Sequence, residues 1–528
     1  MKHLSKSYKQ EKPAGKFDAI IIGSGLGGMS TAAFLSKEGK RVLVLERHYT
    51  PGGFTHVFRR KEYEWDVGVH YVGDVHRPYT MMAKMFNYVT DGSLKWEDMG
   101  QVYDKIFFGK ELYEYHKGEE AFSKRMKEYF PAPEDQQAID EYLKLVRITQ
   151  KQNAQGYGNI ILRGPLKWLL GGWLRKNSLK NNKTTLEVLR SLTKNEKLIG
   201  VLTGQFGDYG LPPSQSSFVM HATLFKHYLN GGNYPVGGSA RIYESVAPVV
   251  LKAGGEIYTN AEVKEIIIQN NKAVGVKMLD GDEYFAPVVI SSAGIVTTYS
   301  KLVNDASVKA KVQNHLHSVT PSVAHVCLYV GLNHSKKELN LGKANYWIYP
   351  GYNHDKNIKD YLANPDAEFP VVYISFPTAK DPDWENRHPN HSTIEIITLA
   401  PYEWFKQWEN KRWMKRGEDY HALKEKISQR LLQKLYEYEP SLKGKVDYYE
   451  LSTPLSTRHF VNYQYGEIYG IDHSPQRFAL DFLKPQTPIE NLYLTGQDTV
   501  TCGVGGALAS GMFTASVIEK KNLMKKVK

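Results

Sequence analysis

Apolar positions along this chain fall into two rhythms. Phe17-Asp18-Ala19-Ile20-Ile21-Ile22 and Arg41-Val42-Leu43-Val44-Leu45-Glu46 carry short unbroken apolar runs, the pattern of strands buried on both faces. Between them residues 26–38 read as a helix, and Gly39 ends it in the position just past a helix where glycine is favoured. The first sixty residues therefore predict strand, helix, strand. The pattern returns from Gly231. The turn Tyr234-Pro235-Val236-Gly237-Gly238 precedes a helix over 241–253, which Gly254-Gly255 stops. Strands are expected at 256–259, 263–269, 273–279 and 288–290. The end of the chain repeats the theme, with a strand at 491–494, a glycine-rich turn and a helix over 505–520. Residues 80–225 are of mixed helical character. Residues 300–470 mix strands such as 324–330 with helices such as 421–436.

A length of 528 residues exceeds what one compact core usually serves. The expected fold class is α/β, a discontinuous Rossmann-type nucleotide-binding domain with an inserted α+β substrate domain. Residues 16–80, 230–300 and 470–520 are assigned to the first, and 81–229 and 301–469 to the second.

The most specific local pattern is Gly23-Ser24-Gly25-Leu26-Gly27-Gly28, placed between a strand and a helix. Gly23 allows a tight turn, Gly25 lets backbone approach a pyrophosphate, and Gly28 lets the helix pack close to the strand. The helix N-terminus then aims free N–H groups and its positive dipole end at the phosphates. The next strand ends in Glu46, placed to accept from ribose hydroxyls and to repel a 2′-phosphate, which argues against NADP. Arg47 follows, and then Pro51-Gly52-Gly53, a turn whose N–H groups are free for phosphate or ribityl oxygens, or simply a turn.

The stretch from Asp18 to Asp74 resembles the flavoprotein superfamily of phytoene desaturases, carotenoid isomerases and amine oxidases. Asp66-Val67-Gly68-Val69-His70-Tyr71-Val72-Gly73 and Leu492-Tyr493-Leu494-Thr495-Gly496-Gln497-Asp498-Thr499-Val500-Thr501-Cys502-Gly503 are most similar to its retinol saturase branch. These blocks, with 235–294, cover roughly a third of the chain. The resemblance implies FAD rather than NAD. It implies that Gly23, Gly25 and Gly28 hold the pyrophosphate, Glu46 the ribose, and Val263 the adenine side. It puts Gly496 in the flavin-side block and Asp498 toward the ribityl or phosphate groups. It also starts a helix near Gly505-Gly506-Ala507 that points at flavin N1 and the C2 carbonyl. The activity implied is saturation of a double bond in a retinoid- or carotenoid-like polyene. Desaturation, redox-neutral cis–trans isomerisation, and flavin-free binding of prenyl lipids on the same fold are the alternatives.

Reducing an alkene needs hydride at one carbon and a proton at the other. His70 and Tyr71 are the candidates for handling that proton, since the resemblance sets their segment near the flavin ring; His70 could equally pack or bind flavin. Cys502 reads as a redox thiol or a small buried filler. Asp472-His473 reads as a loop pair or a weaker candidate.

Residues 160–183 alternate Trp and Leu with cations. Such a segment either lies in a membrane interface or packs its apolar face on the protein. The net charge of +12, from 68 Lys and Arg against 56 Asp and Glu, suits an anionic surface. No nucleic-acid partner is expected, and no electron donor is legible. Two cysteines, no apolar leader and no bilayer-length apolar run predict a cytoplasmic protein or one peripheral on the inner face of a membrane. No metal-spaced cluster is present in the sequence pattern.

Overall fold

A computed structural model of the chain describes residues 4–528. Its centre is a six-stranded parallel sheet in the order Lys6–Ser7, Glu256–Thr259, Val42–Leu45, Ala19–Ile22, Val289–Ser291, Leu492–Leu494. The strands come from the start, middle and end of the chain. They read as continuous apolar runs because both faces are covered. Ile21, Val42, Val44, Ile257 and Ile290 point into one core, and Ile20, Ile22, Leu43, Leu45, Tyr258 and Val289 into the other. On the first face the helix Leu26–Lys37 packs against Gly503–Ile518 and Ala240–Lys252. A three-stranded antiparallel sheet, Val263–Gln269, Lys272–Met278 and Glu283–Phe285, lies beside the parallel one.

A second, seven-stranded sheet has the order Val446–Ser452, His325–Leu332, Ser392–Leu399, Val372–Ser375, Asn345–Tyr349, Val102–Phe108, Glu111–His116. All its neighbours are antiparallel except Asn345–Tyr349 beside Val102–Phe108. Leu328, Val330, Ile348 and Ile374 on one face pack with Ile427 and Leu431 of the helix Glu418–Tyr438. Trp347, Tyr349, Tyr373 and Ile106 on the other face pack toward the helices Pro133–Gly158 and Phe218–Tyr228.

Element bounds fall close to the expected ones, with one instructive shift. The last helix begins at Gly503 rather than 505, capped by Cys502 in extended backbone.

The first and last helices meet in close backbone contacts. A Cβ on Gly27 would lie 2.6 Å from the Cα of Gly496, 469 residues later. Thr31 Oγ1 and Thr495 Oγ1 are 2.9 Å apart beside it, and Ser30 Oγ donates to the Leu508 carbonyl at 2.9 Å. A side chain at position 27 must therefore push backbone, not a flexible neighbour. Gly27→Val is expected to lower stability by about 1–3 kcal/mol, the cost of overpacking a tight contact, read from the urea midpoint. A midpoint equal to wild type would mean the first and last helices are not held this closely.

Candidate cofactor and substrate cavity

A cavity of about 1190 Å³ opens at the carboxyl ends of the parallel strands and runs between the two sheets. Such strand ends are where ligands bind in open α/β sheets. Gly23, Gly25, Glu46, Arg47, Gly52, Gly53, Val263, Gly496, Gly505 and Gly506 line it, as do His70 and Tyr71; Gly52 and Gly53 lie against the Gly23–Gly25 turn. Residues from three distant segments thus share one wall.

The turn after the first long strand explains the geometry of that wall. Gly23 has φ +96°, a left-handed conformation that a side chain would strain. Gly25 precedes the helix Leu26–Lys37, and no side chain caps that helix, so its first N–H groups remain for a ligand. Glu46 is held rigidly, accepting from Ser24 N at 2.8 Å, Ser24 Oγ at 2.7 Å and His48 N at 2.7 Å. A second helix, Gly503–Ile518, also starts at the cavity without a side-chain cap. Two positive helix ends face one crevice, an arrangement suited to an anionic, elongated ligand. The donors match FAD in kind: free N–H groups for a pyrophosphate, a carboxylate for ribose hydroxyls, and a helix end for the anion that forms when flavin is reduced.

Most residues singled out in the sequence line the cavity; Gly28, Asp472, His473 and Asp498 do not. Gly28 faces the carbonyl of Gly23 and the Ser292 side chain, so it serves helix–strand packing rather than contact with a ligand. Asp498 is buried behind the wall. Its Oδ1 accepts from Ile471 N at 3.1 Å and its Oδ2 from Ile295 N at 2.8 Å, so it ties three chain segments together and does not turn to the cavity. The resemblance implied a ligand contact here; two buried N–H groups claim this carboxylate instead. Asp472 and His473 do not pair. Asp472 accepts from Ser474, and His473 Nε2 accepts from Cys502 N at 2.9 Å, steadying the start of the last helix. Burial raises the Cys502 thiol to about 12, and its Sγ lies 3.6 Å from the Asp208 carbonyl oxygen.

Around His70 and Tyr71 lies a buried polar group that sequence reasoning missed. His70 Nδ1 is 2.8 Å from Glu395 Oε2, and Glu395 Oε1 accepts from Asp66 N at 2.8 Å. Tyr71 donates to Asp208 Oδ2 at 2.7 Å and lies 3.1 Å from Asp104 Oδ2. Lys380 donates to the His70 carbonyl at 2.9 Å and to Ser375 Oγ at 2.8 Å, and also bonds Asn345, which in turn donates to Asp104 at 2.9 Å. Burial, then the Lys380 charge, depress His70 to about 3, so its imidazole is neutral. Burial raises Glu395 to about 8, opposed by Lys380, and lowers Lys380 to about 8 against the pull of the nearby carboxylates. No spacing rule links Asp66, Asp104, Asp208, Lys380 and Glu395 to His70 and Tyr71, so no local pattern could have found them.

A dinucleotide-type parallel sheet with two helix ends on one long cavity defines an FAD-binding oxidoreductase. The sequence pattern of the flavin-containing amine oxidoreductases matches residues 26–518, and this chain belongs to that family, on the branch of the retinol saturases. It is 35% identical to an all-trans-retinol 13,14-reductase of Danio rerio, the match spanning 99% of this chain and 89% of that protein. It is 34% identical to the Homo sapiens protein of the same name over 100% of this chain and 89% of that protein. A further relative, 32% identical over 98% of this chain and 88% of that protein, is named an inactive all-trans-retinol 13,14-reductase of Danio rerio. In fold the chain resembles an oxidoreductase from Methanosarcina mazei, with TM-score 0.62 at 18% identity over 95% of this chain and 99% of that one. The cofactor is FAD.

Replacing Glu46 by Ala leaves three buried or half-buried donors unpaired and removes the ribose acceptor. Glu46→Ala is expected to weaken FAD binding about 10- to 100-fold, the effect of losing hydrogen bonds to a charged group worth roughly 1.5–3 kcal/mol. Fluorescence titration of the apoprotein measures it. Unchanged affinity would place the adenosine half elsewhere.

Proposed function

We propose that this protein reduces one carbon–carbon double bond of a retinoid- or carotenoid-like polyene, using FAD that an unidentified donor reduces. The observation that carries the reading is the continuation of the FAD cavity into an aromatic and aliphatic chamber. Met220, Leu224, Tyr228, Trp347, Val371 and Leu399 line that part of the wall. An apolar rod fits there, and nothing polar in such a substrate needs a partner along its length. The retinol reductases among the relatives support the same substrate class.

Bound flavin supplies hydride chemistry. The chain's own part is to orient the chain of double bonds, exclude water and bring one proton to the carbon next to the hydrided one. We place that proton transfer at the corner formed by His70 and Tyr71. Gly23, Gly25, Glu46, Arg47, Gly52, Gly53 and Val263 would hold the adenosine and diphosphate half, and Gly496, Gly505 and Gly506 the flavin half.

Access is read as coming from a membrane surface. The helix Gly164–Ser178 buries only Gly171, and Trp168 and Trp173 are 84% and 59% exposed. Its apolar residues therefore do not pack on the protein, which supports the interfacial alternative. Arg163 anchors the helix by donating to the Val517 carbonyl at 2.8 Å, at the negative end of the last helix. Ser178 packs on Gly156 of the helix Pro133–Gly158, whose Gln150 and Ala154 line the cavity with the exposed Met81 opposite. The greasy helix thus sits beside a mouth of the cavity. Lys167, Lys176, Lys180 and Lys183 supply charge for anionic lipid, while Arg175 is paired with Asp481. Among the described residues no helix is long and apolar enough to cross a membrane.

Two experiments test these readings. Anaerobic incubation of the photoreduced flavoprotein with all-trans-retinol or a carotenoid should yield a product two mass units heavier; a mass-neutral product would make it an isomerase, and no product would end the reading. Trp168→Glu/Trp173→Glu should lose most sedimentation with phosphatidylserine-containing vesicles while keeping its flavin absorbance. Equal sedimentation of variant and wild type would overturn the membrane assignment.

A further inference from the structure

The corner at His70 and Tyr71 holds more ionisable groups than packing requires. Asp66, Asp104, Asp208 and Glu395 surround a single ammonium, that of Lys380. Four carboxyls against one cation in a dry interior cannot all be ionised, so the group stores protons at neutral pH. Of the four, Asp208 alone lines the cavity. It is half-buried, whereas Asp66, Asp104 and Glu395 are fully enclosed. Its Oδ2 takes the Tyr71 hydroxyl, and among the described residues its Oδ1 has no hydrogen-bond partner. The side chain is therefore fixed at one oxygen on the cavity wall, and the other is left free of a protein partner.

We infer that Asp208 is the acid that gives the substrate its proton, with Tyr71 as the positioning residue that holds it. The inference rests on the reading that the chain reduces a carbon–carbon double bond. In the step, the π pair of the double bond forms a C–H bond with the proton of Asp208 Oδ1. The neighbouring carbon accepts a hydride from reduced flavin, which is thereby oxidised. Asp208 is left as a carboxylate, held by the Tyr71 O–H and neutralised by the Lys380 ammonium, and water or the neighbouring acids return its proton. One hydride and one proton are added and two electrons pass from flavin to the alkene.

The surroundings fit an acid rather than a spectator. Burial raises the Asp208 carboxyl to about 8; Tyr71 and Lys380 pull it down and the Asp104 charge pushes it up. The other ionisable groups facing it, Tyr209, Tyr228, Tyr349, Tyr373, Tyr469 and Cys502, are all raised by burial and stay neutral. Only Asp104 and Lys380 therefore set its charge environment. His70 is a poor competitor: its neutral ring would have to become an imidazolate to donate. Tyr71 is no better as the source, since burial holds its hydroxyl well above the ordinary phenol range.

Two measurements on the flavin-loaded protein test the assignment. The first needs no substrate. In infrared spectra at pH 7, the wild-type-minus-Asp208→Asn difference should contain the carbonyl stretch of a protonated carboxylic acid that shifts down in D2O. The second is turnover. Asp208→Asn should keep its flavin absorbance and lose roughly 100- to 10,000-fold in polyene reduction, the usual contribution of a general acid. Asp208→Glu should recover part of it. Wild-type turnover should fall as pH rises through about 8, because the acid is then deprotonated. Tyr71→Phe removes a hydrogen bond that favours the carboxylate, so its alkaline limb should move to higher pH. An Asp208→Asn protein without the acid band in its difference spectrum, or one that turns over at the wild-type rate, overturns the inference. If wild type reduces no polyene, the functional reading fails by itself, and the infrared result still decides whether Asp208 carries a proton.

Discussion

Everything in this molecule hangs on two helix N-termini being brought to one crevice without side chains to fill it. The helices Leu26–Lys37 and Gly503–Ile518 lie against each other although 465 residues separate their ends. Their approach is possible because Gly27 meets Gly496 backbone to backbone and because hydroxyls of Ser30 and Thr31 bond across the contact. Neither helix end is capped by a side chain. The unpaired N–H groups would cost stability in an empty apolar cavity and are well matched to a diphosphate at one end and a reduced flavin at the other.

From that anchor the rest of the cavity follows as a gradient of polarity. The parallel sheet supplies backbone donors and Glu46. The seven-stranded sheet supplies aromatic and aliphatic wall, and between them sits an enclosed set of carboxyls around Lys380. A polyene offers no polar handle, so selectivity has to come from shape and dryness, while the proton must come from a group shielded from bulk water. A half-buried Asp208 on an otherwise greasy wall reconciles those two demands.

The glycine turn and the strand end that line the cavity were legible in the amino-acid sequence because their requirements are local. A glycine turn must follow its strand directly, and Glu46 must end the next strand, so spacing carries the chemistry. The parallel strands were legible for the same reason: burial on both faces erases alternation. The resemblance set Asp498 toward the ligand, but a carboxylate in such a loop can serve either a ligand or the backbone, and here it accepts from Ile295 and Ile471 N–H. Asp208 was invisible. It sits in the short turn Phe206–Asp208 and gains its role from Tyr71, Asp104 and Lys380, which the fold delivers from three other elements. The segment at 160–183 left two alternatives, an interfacial helix or one packed on the protein, because alternation of Trp, Leu and cations serves either.

The central claim is that one cavity holds FAD from adenine to isoalloxazine, and flavin selectivity tests it most directly. Titration of the apoprotein should saturate at one FAD per chain, with FMN, which lacks the adenosine half that Glu46 and Val263 would engage, binding far more weakly. Equal affinity for FMN and FAD, or no flavin bound at all, would contradict the account.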